Sequence, residues 1–116
     1  MYSIVEFKKN TNHVKGAGKQ DVIQENTGYK TLLLAEKDFY LVALACAGDG
    51  KKKRHLCIED NRYNDKIEFF DPTTCLVRVR GYEKNEIGKY KYLKFTLEEY
   101  RQYLKDKKHN KLTEVI

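Results

Sequence analysis

The chain has 116 residues, of which 41% are hydrophobic and 34% charged, and its net charge is +6. That apolar content excludes a disordered chain and suffices for one core, since a domain near this size buries roughly two-thirds of the surface its unfolded chain exposes. No stretch approaches the roughly eighteen apolar residues needed to span a bilayer, which argues against a membrane partner.

Charge is unevenly spread. Residues 1–50 hold six Lys and six acids, whereas residues 51–116 hold 17 Lys plus Arg and 11 acids. This asymmetry favours an anionic partner. The N-terminus has no apolar run like that of an export signal, and the three cysteines, Cys46, Cys57 and Cys75, form an odd set. Reduced thiols in an intracellular compartment, cytoplasmic or nuclear, are the expectation. With one proline and no Gly/Ser-rich linker, the chain reads as a single domain spanning residues 1–116.

In chain order, Tyr2 to Phe7 predicts a first strand, apolar on both faces. Residues 8–20, with Gly16 and Gly18, read as a loop. Asp21 to Gln24 predicts a short strand, and Gly28 a turn. Tyr29–Ala35 and Phe39–Ala47 are apolar runs separated by Glu36-Lys37-Asp38. Three polar residues between two such runs predict a hairpin, with helix as the competing reading because Leu32, Leu33, Leu34, Ala35, Ala43, Leu44 and Ala45 are good helix formers. Gly48-Asp49-Gly50 signals a turn into a strand from Lys51 to Glu59. Lys66–Phe70 is a short strand stopped by Asp71-Pro72. Thr74–Arg80 alternates, with Cys75, Val77 and Val79 on one face and Thr74, Leu76, Arg78 and Arg80 on the other. Lys89–Phe95 is the last strand. Leu93 and Phe95 mark its core side, and Tyr90, Tyr92 and Lys94 its outer side.

A C-terminal helix has the strongest signal. Thr96 is an N-cap with Glu99 three residues on, which is a capping box. Phe95 before it can staple to Tyr100. Leu97, Tyr100 and Leu104 form an apolar stripe, and Asn110 offers a left-handed stop. The expected fold is α+β: a mainly antiparallel sheet of six or seven strands, open and curved or barrel-like, with one C-terminal helix packed on it.

Five groups of residues invite a functional reading. Arg78, Arg80, Tyr90, Tyr92 and Lys94 combine rings that stack on bases with cations that track phosphates, and the competing reading is that Tyr suits strands and Lys keeps an edge strand solvated. Lys51, Lys52, Lys53 and Arg54 concentrate charge, either as an electrostatic flank for an anion or as a solvated hairpin tip. Cys46, His55, Cys57 and Cys75 are zinc-type ligands without zinc-type spacing. Gly16-Ala17-Gly18-Lys19 lacks the rest of a phosphate loop and reads as an ordinary loop. Glu6-Phe7-Lys8 has the Glu-x-Lys form of metal-dependent nucleases but no preceding acid. No cofactor motif and no catalytic constellation is legible.

The stretch from Cys75 to Lys105, above all Lys91-Tyr92-Leu93-Lys94-Phe95-Thr96-Leu97-Glu98-Glu99-Tyr100, resembles small single-strand-binding proteins of the Whirly/PUR kind. In these a curved basic and aromatic sheet is followed by a helix. The resemblance covers about a quarter of the chain and implies a non-enzymatic module for single-stranded DNA or RNA. Two other classes stay open. An inhibitor, immunity or adaptor protein would dock on a protein partner through the same Tyr and Arg side chains. A metal-independent ribonuclease would use Arg78, Arg80, His55 and Tyr92. Tyr-rich strands with open edges are also compatible with a homodimer.

Overall fold

The computed structural model describes residues 1–9, 20–48, 54–84 and 86–114. Strands β1 (Tyr2–Lys9) and β2 (Gln20–Tyr29) precede helix α1 (Leu32–Gly48). Four strands follow, β3 (His55–Asp60), β4 (Asp65–Asp71), β5 (Leu76–Lys84) and β6 (Tyr90–Thr96), and then helix α2 (Leu97–Glu114). The six strands pair antiparallel in the order β2-β1-β3-β4-β5-β6. The sheet is open, with β2 and β6 as its edges, so the class is α+β and the barrel alternative does not hold.

The hairpin expected from Tyr29–Ala35 and Phe39–Ala47 is instead one 17-residue helix. Glu36-Lys37-Asp38 contains no Gly, Asn or Pro to turn a chain, while the flanking Leu and Ala residues favour helix. The cap lies upstream of the expected loop. The Leu34 amide donates to the Thr31 hydroxyl oxygen at 3.3 Å, which satisfies one of the first-turn donors that a helix leaves open. A second correction concerns β2, which runs on through Gly28. Opposite Ser3 of β1 stand two residues, Thr27 and Gly28, so the expected turn is a β-bulge. Gly28 has a φ of 89° there, a conformation that glycine adopts without strain.

One buried cluster fixes the layers. Ile4, Leu56, Ile58, Phe70, Val77 and Val79 of the sheet meet Ala35, Phe39 and Ala43 of α1 and Tyr100 and Leu104 of α2. Both helices therefore cover the same sheet face. The α2 capping box forms as its sequence predicts. The Thr96 amide donates to Glu99 Oε1 at 2.9 Å, and the Glu99 amide donates to Thr96 Oγ1 at 3.2 Å. These bonds hold the Glu99 carboxyl below the usual range. Phe95 and Tyr100 complete the staple, with ring centroids 6.3 Å apart.

Three expectations for this C-terminal part change. Asn110 does not stop α2, which continues to Glu114 through Lys-Leu-Thr-Glu, a stretch without Gly or Pro. Thr74 and Cys75 belong to the β4–β5 turn, where Cys75 has a φ of 55° and its amide donates to the Asp71 carbonyl. Leu93 is 56% exposed rather than in the core. Because α2 leaves directly from Thr96, it covers Phe95 and not the residue two positions back on this edge strand.

Candidate nucleic-acid interface

Strand alternation sends the other set of side chains to the face without a described helix. Val5, Phe7 and Cys57 form a small cluster there with Phe69 packed against it. Register places Phe69 beside Arg78, Arg78 beside Lys94 and Arg80 beside Tyr92. The Arg78 guanidinium carbon lies 5.2 Å from the Phe69 ring centroid and 5.7 Å from that of Tyr92. The two rings meet edge to face at 6.0 Å. Arg80 lies 4.5 Å from the Tyr90 ring centroid. Arg78, Tyr92 and Lys94 are thus brought together on one face, whereas the Arg80 guanidinium, bonded to Asp65 and lining the cleft with Tyr103 and Lys107, turns to the helix side with the Tyr90 ring against it.

Sequence reading missed Lys66 and Phe69 on this face, and one backbone irregularity in their strand explains why. Ile58 pairs with Glu68 but Glu59 pairs with Lys66, so Ile67 is an extra residue in β4. This bulge reverses the alternation. Glu68 and Phe70 face the helices, whereas Lys66, of the same parity, crosses to the outer face, 5.9 Å from the centroid of the Phe7 ring. Phe7 stacks on His55 at 5.4 Å. Rings and cations therefore run from β1 to β6, about 19 Å at the usual strand spacing. A second irregularity, between Arg80 and Lys84, needs Gly81: a Cβ there would stand 3.1 Å from the Lys91 carbonyl oxygen.

The cations singled out in the sequence are not equivalent. Arg80 donates to Asp65 at 2.6 Å, which neutralises much of its charge. Arg78 and Lys94 are exposed and flank a shallow depression with Asp71, Thr74 and Leu76. Arg54 does not join them. It pairs with Glu6 at 3.4 Å, on the side that carries Ile4 and Leu56. Lys51, Lys52 and Lys53 lie outside the described residues, as does the Gly16–Lys19 stretch.

The zinc grouping is separated by the sheet. Cys46 packs with the helix-side cluster and Cys57 lies on the outer side. Among the described residues, no three His, Cys, Asp or Glu side chains are grouped to hold a metal. Burial pushes the Cys57 thiol up to about 11, with Glu59 and Glu25 adding to the rise against Lys66.

On the helix side, the structure reveals a polar cluster that sequence reading did not anticipate. Glu36 of α1 is 0% exposed and Glu68 of β4 is 1% exposed. The Tyr100 hydroxyl donates to Glu68 Oε1 at 2.6 Å, and Lys107 Nζ donates to Glu36 Oε1 at 2.6 Å. The remaining oxygens, Oε2 of each Glu, are buried without a donor, and the two carboxyl groups lie within hydrogen-bonding range of one another. Two ionised carboxylates cannot satisfy each other, whereas one shared proton gives both oxygens a partner. Burial, then the charge of Glu36, holds the Glu68 carboxyl well above its usual range despite the opposing Tyr100 hydrogen bond. Burial works against the Lys107 ammonium, but the Glu36 hydrogen bond and charge outweigh it and raise that group. The sequence signal was slight: single acids inside Leu32–Gly48 and within Ile67-Glu68-Phe69-Phe70.

A cleft of ≈ 240 Å³ opens beside this cluster, between Tyr2, Arg62, Arg80, Tyr103 and Lys107. Its cations are matched internally: Arg62 to Asp60 at 3.0 Å, Arg80 to Asp65 and Lys107 to Glu36. The Arg62 hydrogen bond holds Asp60 below the usual carboxylate range. These pairings make the cleft a seam that ties turn, sheet and helices together.

No protein-family model, no curated protein and no solved structure matches the chain. Among the described residues, no helix is long and apolar enough to cross a membrane.

Proposed function

We propose that the helix-free face of the sheet binds single-stranded nucleic acid without cleaving it. One observation carries the reading: Arg78 lies between Phe69 and Tyr92 on an outward face, with Lys94 alongside. Arginine held over an aromatic ring keeps its charge outward for phosphate, while neighbouring rings offer stacking surfaces to unpaired bases. Duplex is the poorer fit, because stacking on these rings requires bases free of their pairing partners. Lys51, Lys52 and Lys53 would add long-range attraction, and Arg54 would not, since Glu6 engages it.

Fluorescence anisotropy with a labelled single-stranded oligonucleotide separates the two contributions. Arg78→Ala should weaken binding to all sequences alike and reduce the salt slope by about 0.7, the value for one phosphate on a single strand. Tyr92→Ala should cost about 1–3 kcal/mol of binding, the range for one stacked base, and leave that slope unchanged. Wild-type affinity and slope in both variants would refute this assignment of the face.

A further inference from the structure

We infer that the outward face of α1 is a self-association surface, on which a second copy of the chain docks its own α1 antiparallel about a two-fold axis. This inference is independent of the nucleic-acid reading, because α1 lies on the opposite side of the sheet.

A helix that covers one side of a sheet needs one apolar stripe. Helix α1 has more. Ala35, Phe39 and Ala43 face inward and are fully buried, yet Leu34, Leu41 and Leu44 on the other side are 49%, 60% and 40% exposed. Ala45 and Gly48 are exposed with them. At 100° per residue, positions 34, 37, 38, 41, 44, 45 and 48 fall within about a third of the circumference and extend roughly 21 Å along the axis. Large apolar side chains grouped on the outer side of a helix, with charge confined to one adjacent pair, mark an interaction surface.

Charge selects the occupant. The only charged residues within this strip are Lys37 and Asp38, so the strip is neutral on a chain of net charge +6. Two copies approaching here avoid the like-charge opposition they would meet across the basic outer sheet face. The pair is also self-complementary. A two-fold axis passing between positions 37 and 38 sets Lys37 of each copy opposite Asp38 of the other, and Leu34 opposite Leu41. An isologous contact requires this reciprocity. Asp38 is held in place by Tyr29, whose hydroxyl is raised by burial and by its hydrogen bond to Asp38.

Sedimentation equilibrium of the full chain, from about 1 to 200 µM, tests the inference, with circular dichroism confirming that each variant is folded. A reversible monomer–dimer equilibrium is expected. Leu41→Asp does not touch the monomer core and acts twice in a symmetric dimer, so it should raise the dissociation constant about 100-fold. Lys37→Asp places four carboxylates at the axis and should raise it at least about tenfold. The double exchange Lys37→Asp with Asp38→Lys rebuilds the opposition and should return the constant to within about threefold of wild type. A chain that stays monomeric at 200 µM overturns the inference. So does a dimer unaffected by Leu41→Asp, and so does a double exchange as weak as Lys37→Asp alone. Association only with a different protein or with vesicles, in a chain that is monomeric by itself, assigns the strip to another occupant and likewise overturns it.

Discussion

Glu68→Gln should abolish a pH dependence of stability that the wild-type chain shows from about pH 4.3 upward. In the folded protein one proton serves the two donor-less oxygens of Glu36 and Glu68. In the unfolded chain a glutamate releases that proton near pH 4.3. Above this value the unfolded state binds fewer protons than the folded one, so stability falls as pH rises, by about 1.4 kcal/mol per unit for one proton. The decline ends at the pH where the Glu68 carboxyl ionises. Glutamine has the shape of the protonated acid: its carbonyl can accept from Tyr100 and its amide can donate to Glu36, with no proton to lose. Urea unfolding at pH 5, 6 and 7 should therefore show the wild type losing stability relative to Glu68→Gln as pH rises, by no more than the one-proton slope allows. Subtracting the variant cancels the titration of histidines and exposed acids common to both. Parallel profiles for the two proteins would refute the shared proton.

Three further outcomes follow from individual contacts. Tyr100→Phe keeps the core ring but leaves Glu68 Oε1 without its 2.6 Å donor, and should destabilise by about 1–3 kcal/mol in urea unfolding. Thr96→Ala removes one half of the capping box and should cost about 1 kcal/mol, with loss of helical circular dichroism on warming preceding loss of the sheet signal. Cys57 is buried, with its thiol pushed up to about 11. Iodoacetamide at pH 8 should label the partly exposed Cys46 and Cys75 well before Cys57, as read by peptide mass mapping.

Legibility in the sequence followed locality. The capping box and staple of α2 rest on residues within five positions of one another, and the alternation from Leu76 to Val79 carries its own face assignment. Helix α1 misled for a physical reason. Apolar on both its inner and outer sides, it has little helical periodicity, so its three charged residues resembled a loop between two strands. The cues to helix were the Leu and Ala residues on either side of those charges and Thr31 just before Leu32. Lys66 and Phe69 were missed because the bulge at Ile67 shifts the phase of β4, and nothing in Lys66-Ile67-Glu68-Phe69 announces an extra residue. Glu36 and Glu68 are 32 positions apart, and only the packing of α1 on the sheet face that carries Glu68 brings their carboxyl groups together.

The account stands or falls on the outer sheet face, and the most direct measurement is anisotropy of wild-type protein with labelled single-stranded DNA and RNA across a salt series. Sub-micromolar binding at about 100 mM salt is expected, with log K falling linearly against log salt by roughly 0.7 per phosphate contacted. Loss of binding well below 100 mM salt would mean that Arg78, Lys94 and the tyrosines only keep the sheet solvated, and would contradict the proposed function.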